Sequence, residues 1–336
     1  MRPSETPTSS NPMLSIVAIC RNEAENIPRL NASIAALKRY VSFPVETIFV
    51  DSASRDNSRE LAAEEFDTVI ELEESEYLCA SAGRFAGTLE ARYPWIFYLD
   101  ADMEVSHEFF HVLDNLNKLP AGSIGVIGLY IHRFDNGGVV TQTFSRAPKL
   151  PAPAMQFGGA VVLRRESVIL AGNWDPSIYG KEEMELYVRL GNGQRVVTFV
   201  GIPMVNHYTE FYSRQELLLR LLLPSAGLGK VFWGYGQSLR ALSIKRKLTA
   251  LLKLEHEAYL FWGSLVALML LAVLWSTTVT VLLFLLLTLS FSLWLRPGIV
   301  IRYLTLPLSF IPGWFRYFPW FRPKLLKWGS TEKTAL

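Results

Sequence analysis

The sequence predicts an α/β protein whose mixed sheet is flanked by helices and followed by membrane-associated segments, and three observations carry that expectation. Short apolar runs alternate with amphipathic stretches from Leu14 to Tyr208, the pattern of a doubly wound sheet. Asp100 and Asp102, spaced i, i+2, follow one of those runs, and the carboxyl ends of strands are where α/β proteins hold ligands. Between Ala258 and Leu295 no charged residue occurs.

Leu14–Ile19 is a continuous apolar run, expected as a buried parallel strand ending in Cys20-Arg21-Asn22-Glu23. In the helix that follows, Asn26 is placed to cap, Pro28 fits the first turn, and Ile27, Leu30, Ile34 and Leu37 share one face. Thr47–Val50 is a second strand, leading to Asp51, the polar cluster Ser52–Ser58 and a helix to about Phe66. Val69–Leu72 is expected as a third strand and Cys79–Arg92 as a helix bearing Arg84. The apolar run before Asp100 is the next strand, and a helix near Ser106–Leu119 with apolar runs at Ile124–Ile131 and Val139–Phe144 completes a mixed sheet. The Pro-rich stretch Ala147–Ala154 is a loop ahead of Phe157-Gly158-Gly159-Ala160 and a strand to Leu163. In Tyr179–Leu190, the acids Glu182, Glu183 and Glu185 crowd a helix start, where the backbone dipole favours negative charge.

The overall balance of 33 basic and 31 acidic residues hides an asymmetry: 18 against 26 through Tyr208, and 15 against 5 from Thr209 onward. A single helix over 258–295 would run to about 55 Å, beyond the roughly 30 Å hydrocarbon core, so two membrane helices are expected, turning near Trp275-Ser276-Thr277. Arg240, Lys245, Arg246, Lys247 and Lys253 precede them, and Arg296, Arg302, Arg316, Arg322, Lys324 and Lys327 follow. The positive-inside rule then places the large domain on the cytoplasmic side of the inner membrane. A nucleic-acid partner is disfavoured, because these basic residues bracket the apolar run. The expected organisation is a disordered tail over 1–13, a folded domain over 14–208, interfacial helices over 209–257, the transmembrane pair within 258–295 and a basic, aromatic interfacial tail over 296–336.

Asp100 and Asp102 offer only oxygen ligands, which suits Mg²⁺ or Mn²⁺, and such a cation keeps open positions for substrate phosphates. A phosphatase-type D-x-D-x-T/V is disfavoured by Glu104, which stands where Thr or Val belongs. No G-x-G-x-x-G follows the first strand, against a dinucleotide oxidoreductase. With only Cys20 and Cys79 the chain suits a reducing compartment and carries no disulfide framework. Paired Gly158 and Gly159 permit close backbone approach and are equally at home in a turn. The acids at Glu182 and Glu183 either decorate a surface helix or, beside a substrate, raise one another's pKa and supply a general base.

The order of these motifs resembles the family 2 glycosyltransferases of GT-A fold: a strand leading to R-N-E, a strand ending in D-S-A-S-x-D, the D-x-D, a G-G-A, then G-x-E-E-x-E-L-x-x-R-L and a His shortly after, over about Leu14–Tyr208. The resemblance implies that Asp51 and Arg21-Asn22-Glu23 touch the nucleotide base and ribose, with Arg84 reaching the nucleotide or pyrophosphate. It implies a metal on Asp102 with Asp100, Glu104 and His207, and a base at Glu183, neighboured by Glu182, with Glu where the family carries Asp. The implied activity is inverting, metal-dependent transfer of a sugar from a nucleotide-diphosphate sugar. Membrane attachment points to a lipid-borne acceptor: a polyprenyl phosphate, a lipid-linked saccharide or a lipid alcohol. The alternative is a catalytically silent nucleotide-sugar-binding subunit of a membrane assembly.

Overall fold

The computed structural model describes residues 12–75, 77–213, 228–254 and 314–327, with isolated positions between 260 and 285. The expected transmembrane pair over 258–295, most of the 1–13 tail and most of the 209–227 and 296–313 stretches lie outside the described residues. Among the described residues no helix is long and apolar enough to cross a membrane.

Strand β1 (Leu14–Cys20) is buried along its whole length, as a strand covered on both faces must be. It lies between β2 (Val45–Asp51) and β4 (Trp95–Asp100), parallel to both, and β3 (Thr68–Leu72) pairs parallel with β2 beyond. Helices α1 (Ile27–Tyr40), α2 (Ser58–Ala62) and α3 (Ala80–Glu90) connect these strands in turn. The chain therefore winds outward from β1 to β3 and returns to the other side of β1 at β4, which makes the β1/β4 junction the switch point where a crevice opens. Register fixes what stands there: Cys20 lies opposite Asp51, and Ile19 opposite Asp100.

Past the switch point the sheet turns mixed. A short β5 (Met103–Val105) and a broken helical segment with α4 (Phe110–Leu113) precede β6 (Gly125–Phe134), β7 (Val139–Gln142), β8 (Ala152–Pro153) and β9 (Val161–Arg164). β9 runs antiparallel to both β4 and β6. After α5 (Arg165–Leu170) and α6 (Glu182–Gly191), the long β10 (Val197–Thr209) pairs parallel with β6 and antiparallel with β5 and β8. One apolar core runs beneath all of it, from Ile16 and Phe49 through Phe97 and Phe109 to Val162 and Val205. Each such side chain contributes about 1.5–3 kcal/mol on burial.

Two local expectations are corrected. Asn26 makes no side-chain cap on α1; its amide donates instead to Glu23 Oε2 at 2.6 Å, while Pro28 does occupy the first turn. The helix expected over Ser106–Leu119 is broken into α4 and two flanking single turns. Asn115 donates its side-chain amide to the His111 carbonyl at 2.6 Å, the local competition by which Asn ends helices.

The segments flanking the apolar run both return to the domain. Helices α7 (Leu228–Ile244) and α8 (Leu248–Leu254) pack on α6, burying Leu242, Ala250 and Leu251 around Val188. β11 (Leu325–Lys327) adds antiparallel to the edge of β3. Lys245, expected to face head groups, instead reaches Asp175 at 2.7 Å and Glu185 at 2.8 Å, and Tyr317 donates to the same Asp175 carboxylate at 2.8 Å. Burial pushes Asp175 up, but Lys245 and Tyr317 outweigh it and hold the carboxyl below its ordinary value. An acid with a lowered folded pKa contributes stability above its unfolded pKa and loses it as pH falls through the folded value, so this tie weakens only in strong acid.

Removing the lysine leaves two buried carboxylates short of a cation. The expected result is that Lys245→Met costs about 3 kcal/mol, at the low end for breaking a buried pair because Arg189 still holds Glu185. Urea denaturation at neutral pH checks it, and a loss below about 0.5 kcal/mol, the surface range, would contradict it.

Candidate active site

Four strand ends and one helix start supply the site. At the end of β1 the chain bends through Asn22 in the left-handed region (φ 58°), which Asn tolerates better than most residues. The turn is stitched to the loop after β2: Asn22 N–H donates to Ser54 Oγ at 2.8 Å, Glu23 N–H to Ser58 Oγ at 3.0 Å, and Arg55 N–H to Asn22 Oδ1 at 2.8 Å. Asp51 is fully buried at the end of β2, where its Oδ2 accepts from Ser54 N–H at 2.8 Å. Its Oδ1 is buried with no partner, a lone pair left for a donor. Arg21 is exposed.

Arg84 joins the two sides of the crevice. Helix α3 lies directly on β1, so close that a Cβ at Gly87 would fall 2.2 Å from Val17 Cγ1. Arg84 is consequently only 2 % exposed, and its guanidinium donates to Asp100 Oδ1 at 2.7 Å and to Glu182 Oε1 at 2.9 Å. Burial works against its charge, and Asp100, Glu182 and Glu183 together outweigh that, so the guanidinium stays firmly charged. Trp174 lies under the group at 5.1 Å. Both terminal nitrogens of Arg84 are engaged by the two acids, while its Nε is buried without a partner. The paired glycines serve the same bridge. A Cβ at Gly159 would sit 2.3 Å from Asp100 Oδ2 and 2.7 Å from an Arg84 nitrogen, and one at Gly158 would sit 2.9 Å from the Tyr130 hydroxyl.

The three acids of α6 separate into distinct roles. Glu185 is fully buried between Arg189, bidentate at 2.6 and 2.7 Å, and Lys245. Glu182 is tied to Arg84. Glu183 is half-buried, and among the described residues no other side chain donates to it. Burial raises the Glu183 pKa, with Arg84 opposing and Asp100 adding to the rise. Glu182 is raised as well, by burial and then by the neighbouring Glu183 charge. Of the three, Glu183 alone has a raised pKa together with an unengaged carboxylate, which is what a proton acceptor needs.

The residues expected to hold a metal stand in different surroundings. Among the described residues no group of three or more His, Cys, Asp or Glu converges as a metal cluster. Asp100 is occupied by Arg84, and Glu104 turns to the Tyr208 hydroxyl at 2.8 Å and Asn206 at 3.3 Å. Asp102 and His207 remain together, with Oδ2 and Nε2 3.0 Å apart. Their chemistry fits a hard divalent cation whose other positions go to phosphate oxygens and water. Two observations support the fit. Asp102 Oδ1 is buried without a partner. Glu23 is raised by burial and, despite the Asn26 hydrogen bond, by the charges of Asp102, Asp56 and Asp100, an excess of negative charge that a cation relieves. For His207, burial pulls the pKa down, but the Asp102 carboxylate more than restores it and the net direction is up.

A cavity of about 710 Å³ opens beside this pair, lined by Asn22, Glu23, Asp56, Asp102, Arg133 and Tyr208 among others. Arg29 stacks 4.1 Å over the Tyr208 ring at its wall. Arg133 and Tyr208 were not singled out from sequence; Asp56 entered only as the last residue of the D-S-A-S-x-D motif. His132, also unforeseen, contacts His207 from β6.

Residues 15–163 match the model of the family described as Glycosyl transferase family 2, and the mixed sheet with flanking helices fits the GT-A architecture. Among solved structures, a mannosyltransferase from Pyrobaculum calidifontis, in complex with GDP-Man and Mn²⁺, superposes with a TM-score of 0.52 at 14 % identity, covering 91 % of this chain and 86 % of that one. GalNAc-T7, with UDP, GalNAc and Mn²⁺, gives 0.47 at 16 % identity, covering 69 % of this chain and 52 % of that one. TarS of S. aureus gives 0.48 at 12 %, covering 68 % and 43 %. The chain thus spans about half of GalNAc-T7 and less than half of TarS. A comparison with curated proteins returns no match.

Two outcomes are expected. A group whose folded pKa is raised binds more protons folded than unfolded, so ionising it at neutral pH costs stability. Glu183→Gln is therefore expected to melt above the wild type at pH 7.5, and a lower melting temperature would contradict the strained carboxylate. Gly159→Ala is expected to lose about 1–3 kcal/mol, the range for overpacking, because its methyl group collides with the Asp100–Arg84 pair; unchanged thermal stability would show that the backbone there can retreat.

Proposed function

We propose that the protein is an inverting, metal-dependent glycosyltransferase that moves a sugar from a nucleotide-diphosphate sugar to a membrane-borne acceptor at the cytoplasmic face of the membrane. The observation that carries the reading is the Asp100–Arg84–Glu182 bridge, which joins the D-x-D strand end to an acidic helix 82 residues further along the chain and so sets Glu183, to which no other side chain among the described residues donates, within electrostatic reach of Asp100 and Arg84. The family match over residues 15–163 and the shared fold of a mannosyltransferase solved with GDP-Man and Mn²⁺ support a sugar-nucleotide donor and a divalent cation.

In this reading Asp51 and the Asn22-Glu23 turn receive the base and ribose, with the unpartnered Asp51 Oδ1 as an acceptor. Asp102 and His207 hold the cation, which when bound supplies Lewis-acid stabilisation of the departing diphosphate. Glu183 takes the proton from the acceptor hydroxyl as its oxygen attacks the anomeric carbon from the face opposite the diphosphate. Its raised pKa makes it a stronger base than an ordinary glutamate near neutral pH. Glu182 and Arg84 act through it, fixing the start of α6. The lipid nature of the acceptor is supported by the charge-free run 258–295 and by basic residues on both of its sides, Lys245 apart, since anionic head groups attract a basic residue at about 1 kcal/mol near the surface.

The test is turnover. Purified full-length protein, incubated with labelled nucleotide sugars, Mn²⁺ or Mg²⁺ and native lipid extract, is expected to place label in lipid. Donor binding without transfer would overturn the enzymatic reading in favour of a silent binding subunit. Glu183→Gln is expected to lower kcat about 10²–10⁴-fold, the usual worth of a general base, and Asp102→Ala to abolish transfer, both with far-UV circular dichroism unchanged. The kcat profile is expected to fall in acid with a limb above the ordinary glutamate value of about 4.3, because Glu183 must be ionised to act. A limb at or below that value would remove Glu183 as the base.

A further inference from the structure

His207 does not meet Asp102 alone. β6 and β10 pair in parallel with His132 opposite His207, and the two rings meet with their Nδ1 atoms 2.9 Å apart. The other nitrogen of His132, Nε2, lies 2.8 Å from Gln142 Oε1 on β7. On its far side His207 Nε2 faces Asp102 Oδ2. Gln142, His132, His207 and Asp102 therefore form one continuous chain.

The chain has a direction. A neutral imidazole carries one N–H donor and one bare acceptor nitrogen, so the choice at one link sets the next. With the Gln142 oxygen facing it, His132 Nε2–H donates outward and His132 Nδ1 is left bare. That bare nitrogen accepts from His207 Nδ1–H, which leaves Nε2 as the nitrogen on the Asp102 side, where a cation would take the place of the proton that Nε2 shares with Oδ2. In the opposite direction His207 Nε2 would carry the proton and could bind only the carboxylate.

We propose that His132, anchored by Gln142, is a positioning residue that holds His207 in the Nδ1–H tautomer and so presents Nε2 to a divalent cation shared with Asp102. The inference rests on the reading of Asp102 and His207 as the cation site and assigns the support of that site to two residues outside the motifs. His132 is not itself a ligand, since both of its nitrogens are engaged. A metal-ligating histidine ordinarily donates its remote N–H to a carboxylate, a carbonyl or water; here that place is taken by a second imidazole. Gln142 closes the chain because an amide oxygen can only accept, and its strand pairs in register with β6 beside His132.

The experiment measures Mn²⁺ binding to the full-length protein by electron paramagnetic resonance of the free ion, without donor or turnover. His132→Phe keeps a ring of similar size and loses both nitrogens, and is expected to weaken Mn²⁺ about 10–100-fold, the usual effect of removing such a support. His132→Asn, whose Oδ1 stands close to the place of Nδ1, is expected to recover most of the affinity. In the Mg²⁺-loaded wild type, long-range ¹H–¹⁵N correlation is expected to show His207 protonated at Nδ1 only. His132→Phe binding Mn²⁺ like the wild type, or His207 protonated at Nε2 under Mg²⁺, would overturn the proposal. If His132→Phe fails to fold, Gln142→Leu at the partly exposed edge of β7 takes its place with the same expected direction, and unchanged affinity there is equally fatal. A wild type that does not bind Mn²⁺ would remove the cation site itself, whereas binding that is indifferent to His132 would remove only this inference.

Discussion

A buried guanidinium between two carboxylates organises this protein. Taking Arg84 out of water carries a penalty of several kcal/mol, and one acid in good geometry barely repays it. Two acids and an aromatic face repay it here, and they can do so only if the end of β4 and the start of α6 are brought to the same point. The constraint reaches further than the three residues. α3 must lie against β1 without a side chain at Gly87, and the Gly159 backbone must pass over the pair with no room for a methyl group. Glu183 inherits its surroundings from this arrangement: its neighbour Glu182 is fixed, and it is left half-buried with no side-chain donor to its carboxylate among the described residues.

The same economy of charge holds the far side of α6. Glu185 and Asp175 are buried acids from different segments, and Lys245 of α7 joins them while Tyr317 adds a hydroxyl. Helix α8 before the apolar stretch, and Tyr317 and β11 after it, therefore all pack on the domain. Segments before and after the apolar stretch are thus tied to the domain that carries the acids, and the Lys245 tie to Glu185 lies a single helical turn from Glu182. Placement of the acidic helix and attachment of the flanking segments therefore rest on one network.

Much of the sheet was legible because parallel buried strands advertise themselves as unbroken apolar runs, as in Leu14–Ile19 and the run before Asp100. Asp51 and Asp100 were legible as strand-end acids for the same reason, since each ends such a run. What pairing across distance decides was not legible. His132 is an unremarked residue in an apolar stretch until β6 lies beside β10 and sets it against a histidine 75 positions away. Glu104 continues the D-x-D spacing, but that Tyr208 and Asn206 donate to its Oε2 could not be read from the sequence. Arg84 was recognised as important, but its acid partners were not legible, because a cation near a phosphate site and a cation buried between acids look alike in sequence. Likewise Lys245 counts among the basic flanks of the apolar run, and only packing of α7 on α6 shows that its charge is spent inward.

The most direct measurement is calorimetric titration of UDP and GDP into the full-length protein with and without Mn²⁺. If Asp102 and His207 hold a cation that grips a diphosphate beside Asp51, one nucleotide binds with an affinity that collapses when the metal is chelated and returns when it is restored. A folded protein that binds neither nucleotide, or binds one equally well in a chelator, would contradict the account at its centre.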